Sequence, residues 1–184
     1  MLRRSFGLGL AAWPVWAMAD ATVRDALRAG GVVIAFRHAL APGTFDPPGF
    51  RLADCSTQRN LSDEGRNEAR RVGDWFRSQA LQPARVRSSP WCRCLDTAQL
   101  AFGQAESWDA LSSPTGSDDP LRQRRLAALK QGLAAVPAGR FEAWVTHQFV
   151  LQDLAGRSTV PAEALVLRLA AGGSVDVLAS ARLA

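Results

Sequence analysis

The sequence predicts an α/β fold: a three-layer α/β/α sandwich whose sheet is mostly parallel, with an antiparallel edge strand. Three observations predict it. Short apolar runs alternate with amphipathic helical stretches, the pattern of a parallel sheet with helices packed on it. The run "VVIAF" is apolar throughout, as expected of a strand buried on both faces. Near the end, "ALVLRLA" and "SVDVLASA" meet around Gly172 and Gly173 with no helix between them, so the chain closes on a β-hairpin.

The first residues read as something other than this domain. "MLRRSFGLGLAAWPVWAMAD" has a basic start, an apolar run and a closing Ala17-Met18-Ala19 before Asp20. That is the pattern of a cleavable signal peptide over residues 1–19, too short for a membrane span. Arg3 and Arg4 also fit a twin-arginine signal, so either export route is open, and a periplasmic or secreted protein is expected. Residues 20–184 then form one domain, without stable membrane insertion and expected as a monomer.

The elements follow in order. "TVRDALRAGG" is a short helix with Thr22 as its cap and Gly30-Gly31 as its stop. The strand of "VVIAF" comes next, then a Pro- and Gly-rich segment over residues 39–61, long enough to expect a function for it. "SDEGRNEARRVGDWFRSQA" is a helix capped by Ser62, with Ala69, Val72, Trp75 and Phe76 as its apolar stripe. "ARVRSS" is a second strand. Ser89 as cap and Pro90 as first residue begin the next helix, which stops at Gly103. "ESW" reads as an edge strand, "LRQRRLAALKQGLAAV" as a helix, "RFEAWVTH" as a core strand and "QFVLQDLAG" as a short helix.

Composition narrows the function classes. The 22 basic side chains exceed the 17 acidic ones only mildly, and no basic run interleaves with aromatics. Nucleic acid is therefore not an expected partner, whereas a small positive surplus suits an anionic ligand. Of the three cysteines, Cys92 and Cys94 stand too close in sequence to bridge each other without strain. Cys55 is expected to pair with one of them in an oxidising compartment. Three scattered thiols and two distant histidines match no metal spacing, so neither a metal nor a cofactor is expected.

The chemistry concentrates at strand ends. The chain has two histidines, and His38 and His147 each close a strand that the fold would run parallel to the other. Arg37 precedes the first, and Arg93 lies in the first turn of a helix, where backbone N–H groups favour an anion. Together these four would form a phosphate pocket with a nucleophile in it.

These segments resemble the histidine phosphatase superfamily, of phosphoglycerate mutase-like fold. Arg37-His38 after an apolar strand is similar to its "RHG" motif, and "LSDEGRNEA" to its "LTxxGxxQA" helix start. "VRSSPWCRCLDTA" resembles "SSxxxRxxxTA", and "VTHQ" resembles "VxHG". The resemblance implies that His38 attacks phosphorus and is transiently phosphorylated, with Arg37, Arg93 and His147 binding the phosphoryl oxygens. Ala39 stands where the family has Gly, and Gln148 where it has Gly or Asp. The family's general acid is not evident; Asp118 and Asp119 are candidates by distance beyond Arg93, with Asp109 and Glu163 as further ones. Within the superfamily the chain looks closest to periplasmic members acting on lipopolysaccharide core heptose phosphate. A phosphohistidine-type phosphoprotein phosphatase is the alternative, and a phosphate- or glycan-binding domain without catalysis a third reading. In each case the partner is a phosphorylated molecule, and an open, shallow site for a bulky one is expected.

Overall fold

The computed structural model describes residues 15–184, with side chains described from residue 21. Most of the candidate leader over residues 1–19 lies outside this range. Five helices and six strands alternate: α1 (Val15–Ala29), β1 (Val32–Arg37), α2 (Asp63–Ser78), β2 (Arg85–Ser88), α3 (Cys92–Phe102), β3 (Glu106–Ser107), α4 (Asp119–Ala134), β4 (Phe141–Thr146), α5 (Gln148–Ala155), β5 (Glu163–Leu169) and β6 (Val175–Arg182). The strands form one sheet in the order β3-β2-β4-β1-β5-β6. β1, β2, β3 and β4 pair in parallel, β5 runs against β1, and β6 runs against β5 at the edge.

Alternation along each strand divides the core into two layers. Val32, Ile34 and Phe36 of β1 join Phe141, Ala143 and Val145 of β4 on one face, under α1, α2 and α3. Val33 and Ala35 join Trp144, Leu165 and Leu167 on the other, under α4 and α5. Both faces are covered, which is why these strands carry unbroken apolar runs.

Two helix starts differ from expectation. The stretch from Val15 to Ala29 contains no Gly or Pro, so α1 runs back past Thr22 instead of beginning there. α3 begins at Cys92, with Trp91 as a cap residue that makes no side-chain capping bond. Ser89 lies two residues before that cap, and its hydroxyl, 2.8 Å from His147 Nε2, accepts the Trp91 N–H at 3.4 Å. By contrast, Ser62 caps α2 by accepting the Gly65 N–H at 3.1 Å, and Gly103 ends α3 in the left-handed conformation.

The start of α2 presses on the chain leaving β1. The Leu40 carbonyl accepts the Ser62 N–H at 3.1 Å, and a Cβ on Gly65 would stand 2.0 Å from that same oxygen. Gly65 therefore sets how closely α2 approaches the β1 exit. We expect Gly65→Ala to destabilise the fold by about 1–3 kcal/mol through overpacking. Urea unfolding checks this, and an unchanged midpoint would show that α2 can move away without cost.

Candidate functional site

The parallel register of β1 and β4 assembles the site. Arg37 lies opposite Thr146, and the His38 N–H continues the ladder to the Thr146 carbonyl at 2.9 Å. The next residues, His38 and His147, leave the sheet at the same level with ring centroids 5.6 Å apart. On the other side of β4, the Ser89 N–H bonds the Val145 carbonyl at 2.9 Å, which sets the β2 exit and the start of α3 beside them. Thr97 on α3 stitches the two together: its hydroxyl accepts the Ala39 N–H at 3.1 Å and donates to the Arg93 carbonyl at 2.7 Å.

Both imidazoles are buried and neutral. His38 Nδ1 lies 2.8 Å from the Ala39 carbonyl, so Nδ1 carries the hydrogen and Nε2 keeps its lone pair. Burial pulls the His38 pKa down to about 3; the Ala39 bond opposes this, and the Arg93, Arg59 and Arg37 charges add to it. Burial likewise holds His147 well below the ordinary imidazole value, with His38 and Arg93 contributing. Its Nε2 pairs with Ser89 Oγ, and the Trp91 ring packs edge-on at 5.3 Å between centroids.

Three guanidiniums surround these rings. Arg37 Nη1 donates to the Thr159 carbonyl at 2.7 Å, Arg59 Nη1 donates to the Ala41 carbonyl, and Arg93 forks onto Asp46 at 2.9 and 3.2 Å. Each leaves its buried Nε without a partner. An orphaned buried donor costs about 1–3 kcal/mol, so three in one place describe a site awaiting acceptors. Burial lowers the Arg37 pKa, partly offset by Glu163, and burial with the neighbouring Arg93 charge lowers that of Arg59. A cavity of about 340 Å³ opens over these groups. His38, Arg93 and His147 at its floor are 3, 4 and 4 % exposed, so these side chains lie deep rather than in a shallow site. Phe45, Phe50 and Phe149 line the same cavity and are exposed at its mouth.

The four residues expected to converge, Arg37, His38, Arg93 and His147, all line this cavity. The expected acids do not. Asp118 accepts the Leu121 N–H as the cap of α4, Asp119 sits in that helix's first turn, Asp109 pairs with Arg125, and Glu163 accepts the Val160 N–H. The carboxylate that does line the cavity is Asp46, from the loop after β1. Its burial favours the neutral acid, but bonds from the Arg59 N–H, Arg93 and Trp91 outweigh it and hold the carboxyl below the usual range. Arg59, Asp46, Ser89 and Trp91 were missed from the sequence. Arg59, three residues before the Ser62 cap, carried a signal, because capping places it beside the helix start; Asp46 in "FDPPG" reads as an ordinary turn.

The bridge forms between Cys55 and Cys92, next to Arg93, and Gln58 Oε1 accepts the Cys92 N–H at 3.0 Å. Cys94 stays free and buried, its thiol pushed by burial up to about 12. Among the described residues no cluster of His, Cys, Asp and Glu could hold a metal ion, and no helix is long and apolar enough to cross a membrane.

Residues 51–112, which hold Arg59, α2 and Arg93, match the model of the histidine phosphatase superfamily (branch 1). That match spans about a third of the chain and includes the helix start and Arg93. Solved structures agree with it in fold. The protein histidine phosphatase SixA, in complex with tungstate, is 21% identical over 83% of this chain and 97% of its own, with a TM-score of 0.55. A mycobacterial glucosyl-3-phosphoglycerate phosphatase, in complex with VO3, is 13% identical over 79% and 96%, at 0.57. Phosphoserine phosphatase from Entamoeba histolytica, a mutant bound to phosphoserine, is 11% identical over 83% and 97%, at 0.54. Among curated proteins no sequence matches. The chain thus has the phosphoglycerate mutase-like architecture.

The depressed histidine gives this domain an acid limit. Below its ordinary value of 6.5 the unfolded chain binds a proton at His38, which the folded chain refuses until about pH 3. The unfolded state then holds more protons, so stability falls as pH drops from about 6.5 towards 3 and is insensitive to His38 above that window. His147 acts in the same direction. Unfolding midpoints between pH 5 and 6.5, above most carboxylate titrations, should fall less steeply for His38→Asn than for the parent; parallel curves would rule out His38 as the source.

Proposed function

We propose that the protein is an exported phosphomonoesterase that works through a phosphohistidine on His38. The observation that carries this reading is a neutral imidazole with its Nε2 lone pair free, beneath three guanidiniums whose Nε donors have no partner. A phosphoryl group supplies the acceptors those donors lack, and forked charge-assisted bonds suit its oxygens. In the first step the Nε2 lone pair forms a bond to phosphorus while the bond to the leaving oxygen breaks, its electron pair going with that oxygen. Arg37, Arg93 and His147 bind the equatorial oxygens, with Arg59 beside them, so catalysis is positioning plus electrostatics. Water then attacks the phosphohistidine, the P–N pair returns to Nε2, and the water's proton leaves to solvent.

The substrate we infer is a phosphorylated group on a larger envelope molecule, a glycan or lipopolysaccharide. A cavity of about 340 Å³ suits a phosphoryl group and the unit that carries it. The exposed Phe45, Phe50 and Phe149 offer faces to whatever lies beyond. The leader-like pattern of residues 1–19 supports export to the compartment of such molecules. A phosphoprotein phosphatase is the second reading, favoured by the likeness in fold to the protein histidine phosphatase SixA.

His38→Ala should abolish phosphate release from phosphomonoesters and the acid-labile phosphate label, with the fold intact. Undiminished turnover in that variant would overturn the mechanism, and binding without turnover in the parent would leave a phosphate-binding domain. A panel of phosphoglycans, phosphopeptides and sugar phosphates separates the two substrate readings. For export, the mature protein recovered from cells should begin at or near Asp20 in the periplasmic or secreted fraction. An intact residue 1–19 segment on cytoplasmic protein would refute it.

A further inference from the structure

The cavity contains one acidic side chain that the mechanism above leaves without a task. Asp46 Oδ1 accepts Arg93 Nη1 at 2.9 Å and the Arg59 N–H at 3.0 Å, while Oδ2 accepts Arg93 Nη2 at 3.2 Å and Trp91 Nε1 at 3.1 Å. An anion in a site for an anion weakens the attraction it was built for. The edges of Arg93 resolve the contradiction. A guanidinium has five N–H donors arranged on two usable edges, end-on through both Nη and side-on through Nε with one Nη. Asp46 holds the end-on edge, and the second Nη1 donor reaches the Arg59 carbonyl at 3.4 Å. What stays free is the buried Nε and the remaining Nη2 donor, which together make the side-on fork.

We propose that Asp46 is a positioning residue: by gripping the end-on edge of Arg93 it turns the side-on edge to the phosphoryl group. This rests on reading the cavity as a phosphoryl site. Arg93 is a long side chain with many rotamers, and geometry is what the fork contributes beyond charge. The grip comes from the loop after β1, so the loop positions a residue of α3 from which α2 and β2 separate it in sequence. Four donors converge on Asp46, a set that suits a carboxylate anion and leaves no hydrogen on it to give away. Its role is therefore distinct from protonating a leaving group.

The test measures orthovanadate affinity and steady-state kinetics with p-nitrophenyl phosphate and an alkyl phosphomonoester, for the parent, Asp46→Ala, Asp46→Asn, Arg93→Lys and the Asp46→Ala/Arg93→Lys double variant. Misplacing a positioning group costs about 10²-fold. We expect Asp46→Ala to lose about that much in kcat/KM and in orthovanadate affinity, equally for both esters, with the shape of the pH profile kept. Asp46→Asn, which retains one acceptor, should lose less, and it carries the test if thermal unfolding shows Asp46→Ala to be unfolded. In the Arg93→Lys background the Asp46 substitution should add little. A selective loss on the alkyl ester, or loss of the alkaline limb of the profile, would make Asp46 an acid and overturn the proposal. Full additivity with Arg93→Lys, or unchanged kinetics in a folded variant, would overturn it too. A parent protein inert to both esters and to orthovanadate would instead remove the phosphoryl reading on which the proposal rests.

Discussion

The parallel ladder between β1 and β4 is the constraint on which the rest of the molecule depends. With Arg37 opposite Thr146, the two strands end together and deliver His38 and His147 to the same edge of the sheet. A slip of one residue would turn every side chain to the other face, setting Arg37 where Phe36 now packs and mismatching the two apolar layers. The core and the site are therefore specified by one register. The two apolar layers hold that register, and the imidazoles read it out.

Concentrating positive charge in that place has a cost, which the backbone and one carboxylate share. Thr159 and Ala41 each offer a carbonyl to a guanidinium, and Asp46 neutralises a third. The imidazoles stay uncharged under the combined effect of burial and these cations. The His38 ring thus keeps its Nε2 lone pair while a backbone carbonyl holds Nδ1. Stability is given up locally for an electrostatic surface made ready in advance, as expected where polar donors are arranged before the charge they serve arrives.

Much of this was readable from the chain because it rests on local patterns. The alternation of apolar strands and amphipathic stripes foretold the layers, the strand ends foretold that Arg37, His38 and His147 would meet, and the helix start foretold Arg93. The parts that were not readable depend on distant partners. Asp46 reaches Arg93 across 47 residues, and nothing local in a Pro-rich turn signals that pairing. Distance along the sequence points to Asp118 and Asp119, but in space Asp118 caps α4 and Asp119 lies in its first turn. Propensity favours Ser89 as a helix cap, but α3 begins at Cys92 and the Ser89 hydroxyl meets a tertiary partner, His147.

The choice between Cys92 and Cys94, open from the sequence, follows from the helix that carries both. Two residues along an α-helix amount to a rotation of about 200°, so side chains two apart face nearly opposite ways. Cys92 faces the loop and meets Cys55, while Cys94 faces the sheet and is fully enclosed. A thiolate is needed to attack a disulfide, and this thiol is both inaccessible and held protonated by burial. The native bridge therefore has no internal competitor once α3 is wound. Helix formation converts three chemically equivalent sulfurs into one settled pair and one silent bystander.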